Sequence, residues 1–132
     1  MSPSDSIQVL RLNERPTVTF EGGALYRAVI GDDTGAGIPV RTGYQYSPPG
    51  YQTPLHSHPY TEIITVIAGR GEAWRAGEDA RIALDPGVTI VLPPGVAHAF
   101  RTLGPETLVT FGIHAHGARL VDVHEAAPAQ AR

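Results

Sequence analysis

Two histidines one residue apart, His56 and His58, are followed by Glu62, and a third histidine, His98, stands behind the turn Pro93-Pro94-Gly95. On an extended strand alternate side chains share a face, so the imidazoles of His56 and His58 can aim at one point. Pro59 then breaks the strand. Glu62 opens a new apolar run, Glu62-Ile63-Ile64-Thr65-Val66-Ile67, so its carboxylate can return to the same interior. The Pro-Pro-Gly turn sets a further strand near Val96 and aims His98 inward from elsewhere in the chain. Three imidazoles and one carboxylate make a ligand set for a single divalent ion. The chain contains no cysteine, which excludes thiolate zinc sites, iron–sulfur clusters and disulfides.

A lone histidine in a strand is ordinarily a surface residue or a hydrogen-bonded core residue, and a lone glutamate ordinarily a solvated strand-end charge. The combination argues otherwise. A carboxylate beside an apolar strand needs a counter-charge if it is buried, and a metal supplies one. His114 and His116 form a second His-X-His, but no carboxylate stands at a comparable spacing, so they read as exposed strand-end residues. His124, before a polar tail, reads as surface. Among the aromatic residues Phe100 is the best pocket-lining candidate, because it lies two residues beyond His98 and faces the same way; Tyr46 and Tyr60 are further candidates.

Short strands must position these groups. The 15 glycines and 12 prolines are spread at intervals along 132 residues, and no stretch long enough for a sizeable helix escapes them. Period-two runs appear near 7–12, 17–20, 24–30, 39–46, 62–68, 71–76, 80–84, 89–92, 97–102, 107–114 and 119–123, separated by turns such as Asp85-Pro86-Gly87. This pattern predicts an all-β sandwich or barrel in one domain, 1–132, with a core barrel over about 39–114 and frayed ends at 1–6 and 126–132.

The formal charge is −3 and the basic residues are scattered singly, so no phosphate-neutralising stripe is present and nucleic acid is not expected as a partner. No run reaches membrane-spanning length, and Met1 to Leu12 lacks the basic flank and apolar run of a signal peptide. A cytoplasmic location is expected.

The ligand set resembles that of the cupin superfamily. The first cupin motif is a glycine, five residues, His-X-His, three or four residues, Glu, six residues and Gly; here it reads Gly50, His56, His58, Glu62, Gly69. The second reads Gly87, Pro93, Gly95, His98, with Thr102 where asparagine is usual. The resemblance implies a double-stranded β-helix, the jelly-roll cupin barrel. It also implies one divalent ion (Fe, Mn, Ni, Co or Zn) on His56, His58, Glu62 and His98. Such an ion keeps a residual charge of about +1 and, if six-coordinate, about two open positions. The expected function is a metal-dependent enzyme acting on a small oxygen-rich organic molecule, with dioxygenase chemistry first. A redox-neutral isomerase or lyase and a non-catalytic ligand-binding module are the alternatives. The apolar alternation of Ile7–Leu12 and Thr17–Phe20 lies outside the minimal barrel and needs burial; small cupins, which the chain resembles, commonly pair such strands across a two-fold axis, so the resemblance implies a homodimer.

Overall fold

The computed structural model describes residues 6–34 and 37–128. Its strands are β1 (Thr17–Thr19), β2 (Leu25–Ile30), β3 (Arg41–Ser47), β4 (Leu55–Ser57), β5 (Glu62–Ala68), β6 (Gly71–Arg75), β7 (Ile82–Leu84), β8 (Thr89–Leu92), β9 (His98–Thr102), β10 (Leu108–His114) and β11 (Asp122–Glu125). They form a six-stranded sheet in the order β1-β2-β3-β10-β5-β8 and a five-stranded sheet in the order β11-β4-β9-β6-β7. From β3 onward the chain changes sheet at every connection except β6 to β7. That alternation winds a double-stranded β-helix, the expected jelly roll.

Period-two alternation decides what faces inward. Glu62, Ile64 and Val66 are buried along β5, and His98, Phe100 and Thr102 along β9, while Arg101 between them is exposed. On β10 the buried residues are Leu108, Thr110 and His114. Each of these strands carries a titratable residue at one end of its inner face and apolar or hydroxyl residues beyond it. The apolar ends meet in a core of Ala24, Tyr51, Val66, Ala73, Leu84, Phe100 and Leu108. Burying such a side chain contributes roughly 1.5–3 kcal/mol for the larger aliphatics, so this end is the anchor and the polar end is free to serve a site.

Two positions of the sequence motifs gain a structural reason. Gly69 turns between β5 and β6 at φ +80°, and a Cβ there would run into the Thr107 backbone. Thr102, in place of the usual asparagine, donates its hydroxyl to the Ser47 carbonyl at 3.1 Å and so ties β9 to the end of β3.

Two expected strands differ. Residues 7–12 form no strand: the segment runs into a 3-10 turn at Leu12–Glu14, and Ile7 and Val9 are 92% and 68% exposed. The edge of the six-stranded sheet is taken by β1, and among the described residues no strand pairs with this segment. The last strand lies at Asp122–Glu125 rather than 119–123, because the backbone of Leu120 is bound to side chains instead of a ladder: its N–H donates to the Tyr60 hydroxyl and its carbonyl accepts from His58 Nδ1. Of the expected frayed ends, 1–5 and 129–132 lie outside the described residues.

Candidate metal centre

Two cross-strand pairs, one from each sheet, build the site. His56 on β4 stands opposite His98 on β9, and Glu62 on β5 stands opposite His114 on β10. His58 follows β4 directly, two residues from His56, as the alternation of side chains requires. One ligand atom from each of His56, His58, Glu62 and His98 lies within 4.8 Å of all the others. His58, Glu62 and His98 are buried, and His56 is half-buried where it meets the cavity.

The three imidazoles are oriented alike. Nδ1 of His56 lies 2.7 Å from the Pro54 carbonyl, Nδ1 of His98 lies 2.9 Å from the Val96 carbonyl, and Nδ1 of His58 meets the Leu120 carbonyl. A carbonyl only accepts, so each Nδ1 carries the proton and a neutral ring presents its Nε2 lone pair to the cluster. Glu62 Oε1 sits 3.3 Å from His98 Nε2 and 3.4 Å from His58 Nε2. Oε1 and His98 Nε2 are both buried and without a hydrogen-bond partner. Orphaned buried polar atoms cost roughly 1–3 kcal/mol each, and more when charged; lone pairs facing lone pairs at this separation are what a cation between them would reconcile. The donor set therefore fits a divalent metal ion.

Electrostatics favour the same state. Burial pushes the His56 imidazole down to about 4, outweighing the Pro54 carbonyl that supports its charge. Burial likewise lowers His58, against the pull of the Leu120 carbonyl and Glu62. For Glu62 burial opposes ionisation, but the hydrogen bond from His114 leads the interactions that favour the carboxylate, and the carboxyl is held well below its usual range. At neutral pH two neutral imidazoles and a carboxylate thus stand ready without first losing protons.

His114 departs from the sequence expectation. Rather than exposed, it is buried, and its Nε2 lies 3.0 Å from Glu62 Oε2 while Nδ1 lies 2.6 Å from the Tyr60 hydroxyl. An ionised carboxylate requires the proton on Nε2, so Nδ1 accepts and Tyr60 donates. Burial raises the Tyr60 phenol, which keeps that donor protonated. The signal that could have revealed His114 is its parity with Leu108 and Thr110 on β10. His116 is exposed, as expected. His124 is exposed yet bonded, with Nε2 2.7 Å from the Ser57 hydroxyl.

The cluster floors a cavity of about 720 Å³. Of the three pocket candidates, Phe100 lines it. Tyr46 does not: Gly43 and Gln45 hold the cavity face of β3, and Tyr46, of opposite parity, borders a separate depression beside Leu12, Asn13 and Arg27. Tyr60 lies behind the cluster, stacked on His58 with ring centroids 5.1 Å apart. Tyr51 lines the cavity as well, and the lining aromatics not anticipated are Tyr26 and Phe20. Tyr26 stands opposite Gln45 in the β2–β3 register, and its phenol occupies the space a Cβ would need at Gly43. Ala126, Ala127 and Pro128, expected to be a frayed end, also line the cavity.

Residues 43–114 match the model of the cupin domain family, and the chain belongs to that family. Over 57 residues it is 40% identical to dimethylsulfoniopropionate lyase DddQ of Ruegeria pomeroyi, a match spanning 43% of this chain and 28% of that protein. Among solved structures it resembles the polyketide cyclase RemF of Streptomyces resistomycificus, with a TM-score of 0.77 at 19% identity over 92% of this chain and 88% of that one. A cupin-like protein of Thermotoga maritima has a TM-score of 0.71 at 21% identity, covering 94% of this chain and 92% of that one. At these identities the structural likenesses establish the fold alone.

Proposed function

We propose that this protein is a metal-dependent enzyme in which His56, His58, Glu62 and His98 hold one divalent ion and that it carries out redox-neutral lyase or isomerase chemistry on a small oxygen-rich organic molecule. The observation that carries the reading is the unpartnered Glu62 Oε1, facing the Nε2 atoms of His58 and His98 at 3.4 and 3.3 Å beneath an open cavity. A divalent ion bound there supplies Lewis-acid polarisation of a substrate carbonyl or carboxylate. The chain does the rest. His114 and Tyr60 fix the Glu62 carboxylate from behind, and the phenols of Tyr26 and Tyr51, raised by burial, remain O–H donors among the lining groups. With such an ion held there, the carbon next to a substrate carbonyl would be the acidic one: its proton would pass to solvent, and the electron pair left behind would form a double bond as a β-substituent departs with the pair of its own bond, or would take a proton back at another carbon. Neither course needs an external oxidant.

The partial likeness to a lyase supports placing this reading ahead of the dioxygenase expected from ligand types. The test is anaerobic turnover by protein loaded with manganese, zinc or iron(II), using small carboxylates with β-leaving groups, dimethylsulfoniopropionate among them, with alkene formation followed by NMR. Product without oxygen supports the reading; product only with stoichiometric oxygen uptake would replace it with the dioxygenase, and tight binding without turnover with a ligand-binding module. The exposed apolar N-terminal segment supports a homodimer as the assembled form.

A further inference from the structure

Among the described residues lining the cavity, Arg119 is the one arginine or lysine, and the acidic ones are Glu62 and Glu21. Among the described residues no carboxylate lies within ion-pair distance of its guanidinium; its recorded neighbour is the Phe20 ring, 5.9 Å from the guanidinium carbon to the centroid. Other arginines of this chain are paired: Arg15 with Asp33, Arg41 with Asp32, Arg101 with Glu72. The position is also held. The next residue, Leu120, has its N–H on Tyr60 and its carbonyl on His58, so the backbone beside Arg119 is fastened to the wall of the site. Its charge is felt inside: it favours ionisation of Tyr26, Tyr51 and Tyr60 against the burial that opposes it. A guanidinium presents a rigid fork matched to a carboxylate, and a field focused by low-dielectric walls raises the local concentration of anions.

We propose that Arg119 is the anion-recognition residue of this cavity and that the molecule it admits is a small organic acid. One carboxylate is held at Arg119, and a separate oxygen group is presented to the imidazole cluster. The proposal rests on reading the cavity as a substrate site. It narrows oxygen-rich molecules to acids and disfavours neutral sugars and diols. An arginine serving only to cover Phe20 would show no preference for charge on a ligand.

The test is calorimetric binding of succinamate and glutaramate, each with one carboxylate and one amide, against the corresponding neutral diamide, to the zinc-loaded and the metal-free protein, for wild type, Arg119→Gln and Arg119→Lys. Wild type is expected to bind each acid-amide at least about tenfold more tightly than its diamide, roughly 1.4 kcal/mol, with the preference shrinking as salt is raised. Arg119→Gln should level the two ligands and Arg119→Lys retain part of the preference, with zinc affinity and melting temperature unchanged in both because Arg119 is exposed and outside the ligand cluster. Equal binding of acid-amide and diamide by wild type, no detectable binding of either acid-amide, or a preference that survives Arg119→Gln on the metal-free protein overturns the proposal. Failure of the metal reading is separately visible: wild type would then not take up zinc, whereas the charge preference is still read on the metal-free protein.

Discussion

Glu62 and His114 face each other across the β5–β10 ladder, with Nε2 of the imidazole 3.0 Å from Oε2 of the carboxylate. The contact leaves Oε1 alone directed at His58 and His98. His114 therefore acts by positioning Glu62. Such outer partners typically contribute 10–100-fold to metal affinity. His114→Phe is expected to weaken zinc binding by about that factor, measured by chelator competition, while His114→Gln, which keeps a donor, should recover part of it. Equal affinity in all three proteins would remove His114 from the site.

The pH dependence follows from His56 and His58. Both are lowered in the folded protein, His56 to about 4, so between the ordinary imidazole range near 6.5 and about 4 the unfolded chain binds more protons than the folded one. Stability of the metal-free protein must then fall as pH falls through that window, by up to roughly 3 kcal/mol from His56. Glu62 is lowered as well, and its contribution is lost only at more acidic pH, below the ordinary carboxylate range. Melting curves from pH 7 to 4 should show the loss, and His56→Ala should flatten it. A slope unchanged by that substitution would refute the assignment.

The same groups govern metal removal. With zinc at about 100 times its dissociation constant the folded state gains about 2.7 kcal/mol, several degrees in melting temperature for a chain of this size. Stripping zinc with a chelator should reverse the gain in wild type. In His98→Ala neither addition nor removal should shift the melting temperature. A zinc-induced rise of the wild-type size in His98→Ala would show that the ion binds elsewhere.

The four clustered residues were legible because strand alternation and two turn-bounded motifs place them with little help from distant packing. His56 and His58 need only the pleat, and Glu62 and His98 each begin a strand just after a proline-marked break. His114 was not legible, since its partners Glu62 and Tyr60 reach it through sheet register and not sequence spacing. Tyr46 was misplaced by one step of parity, and Tyr26 came instead through its register with Gln45. Arg119 and Ala126–Pro128 lie beside stretches placed by contacts distant in sequence, Leu120 to His58 and Tyr60, and β11 to β4 with His124 on Ser57, and no periodicity announces those.

The second of those contacts predicts a mobile strap. Strand β11 is exposed along its length and, among the described strands, pairs with β4 alone, in a register broken between Val123 and Glu125. The His124–Ser57 hydrogen bond at 2.7 Å is its side-chain tie to the wall. His124→Ala is expected to cost about 1 kcal/mol and to raise amide exchange selectively over residues 120–125, leaving β5 and β10 protected. Uniform exchange change across the sheets would show a global effect and not a local strap.

The N-terminal segment supports the final prediction. Ile7, Val9 and Val18 are exposed at 92%, 68% and 56%, and β1 is the edge of the six-stranded sheet, with one side of its backbone unpaired by any described strand. An apolar edge of this kind is a template for pairing with a second copy. Light scattering is expected to give twice the 14.0 kDa chain mass, and Val18→Lys, which places a charge on the edge, should shift the equilibrium toward the single chain without altering zinc affinity. A single-chain mass for the wild type across the micromolar range would dismiss the dimer, and a dimer untouched by Val18→Lys would place its interface on another face.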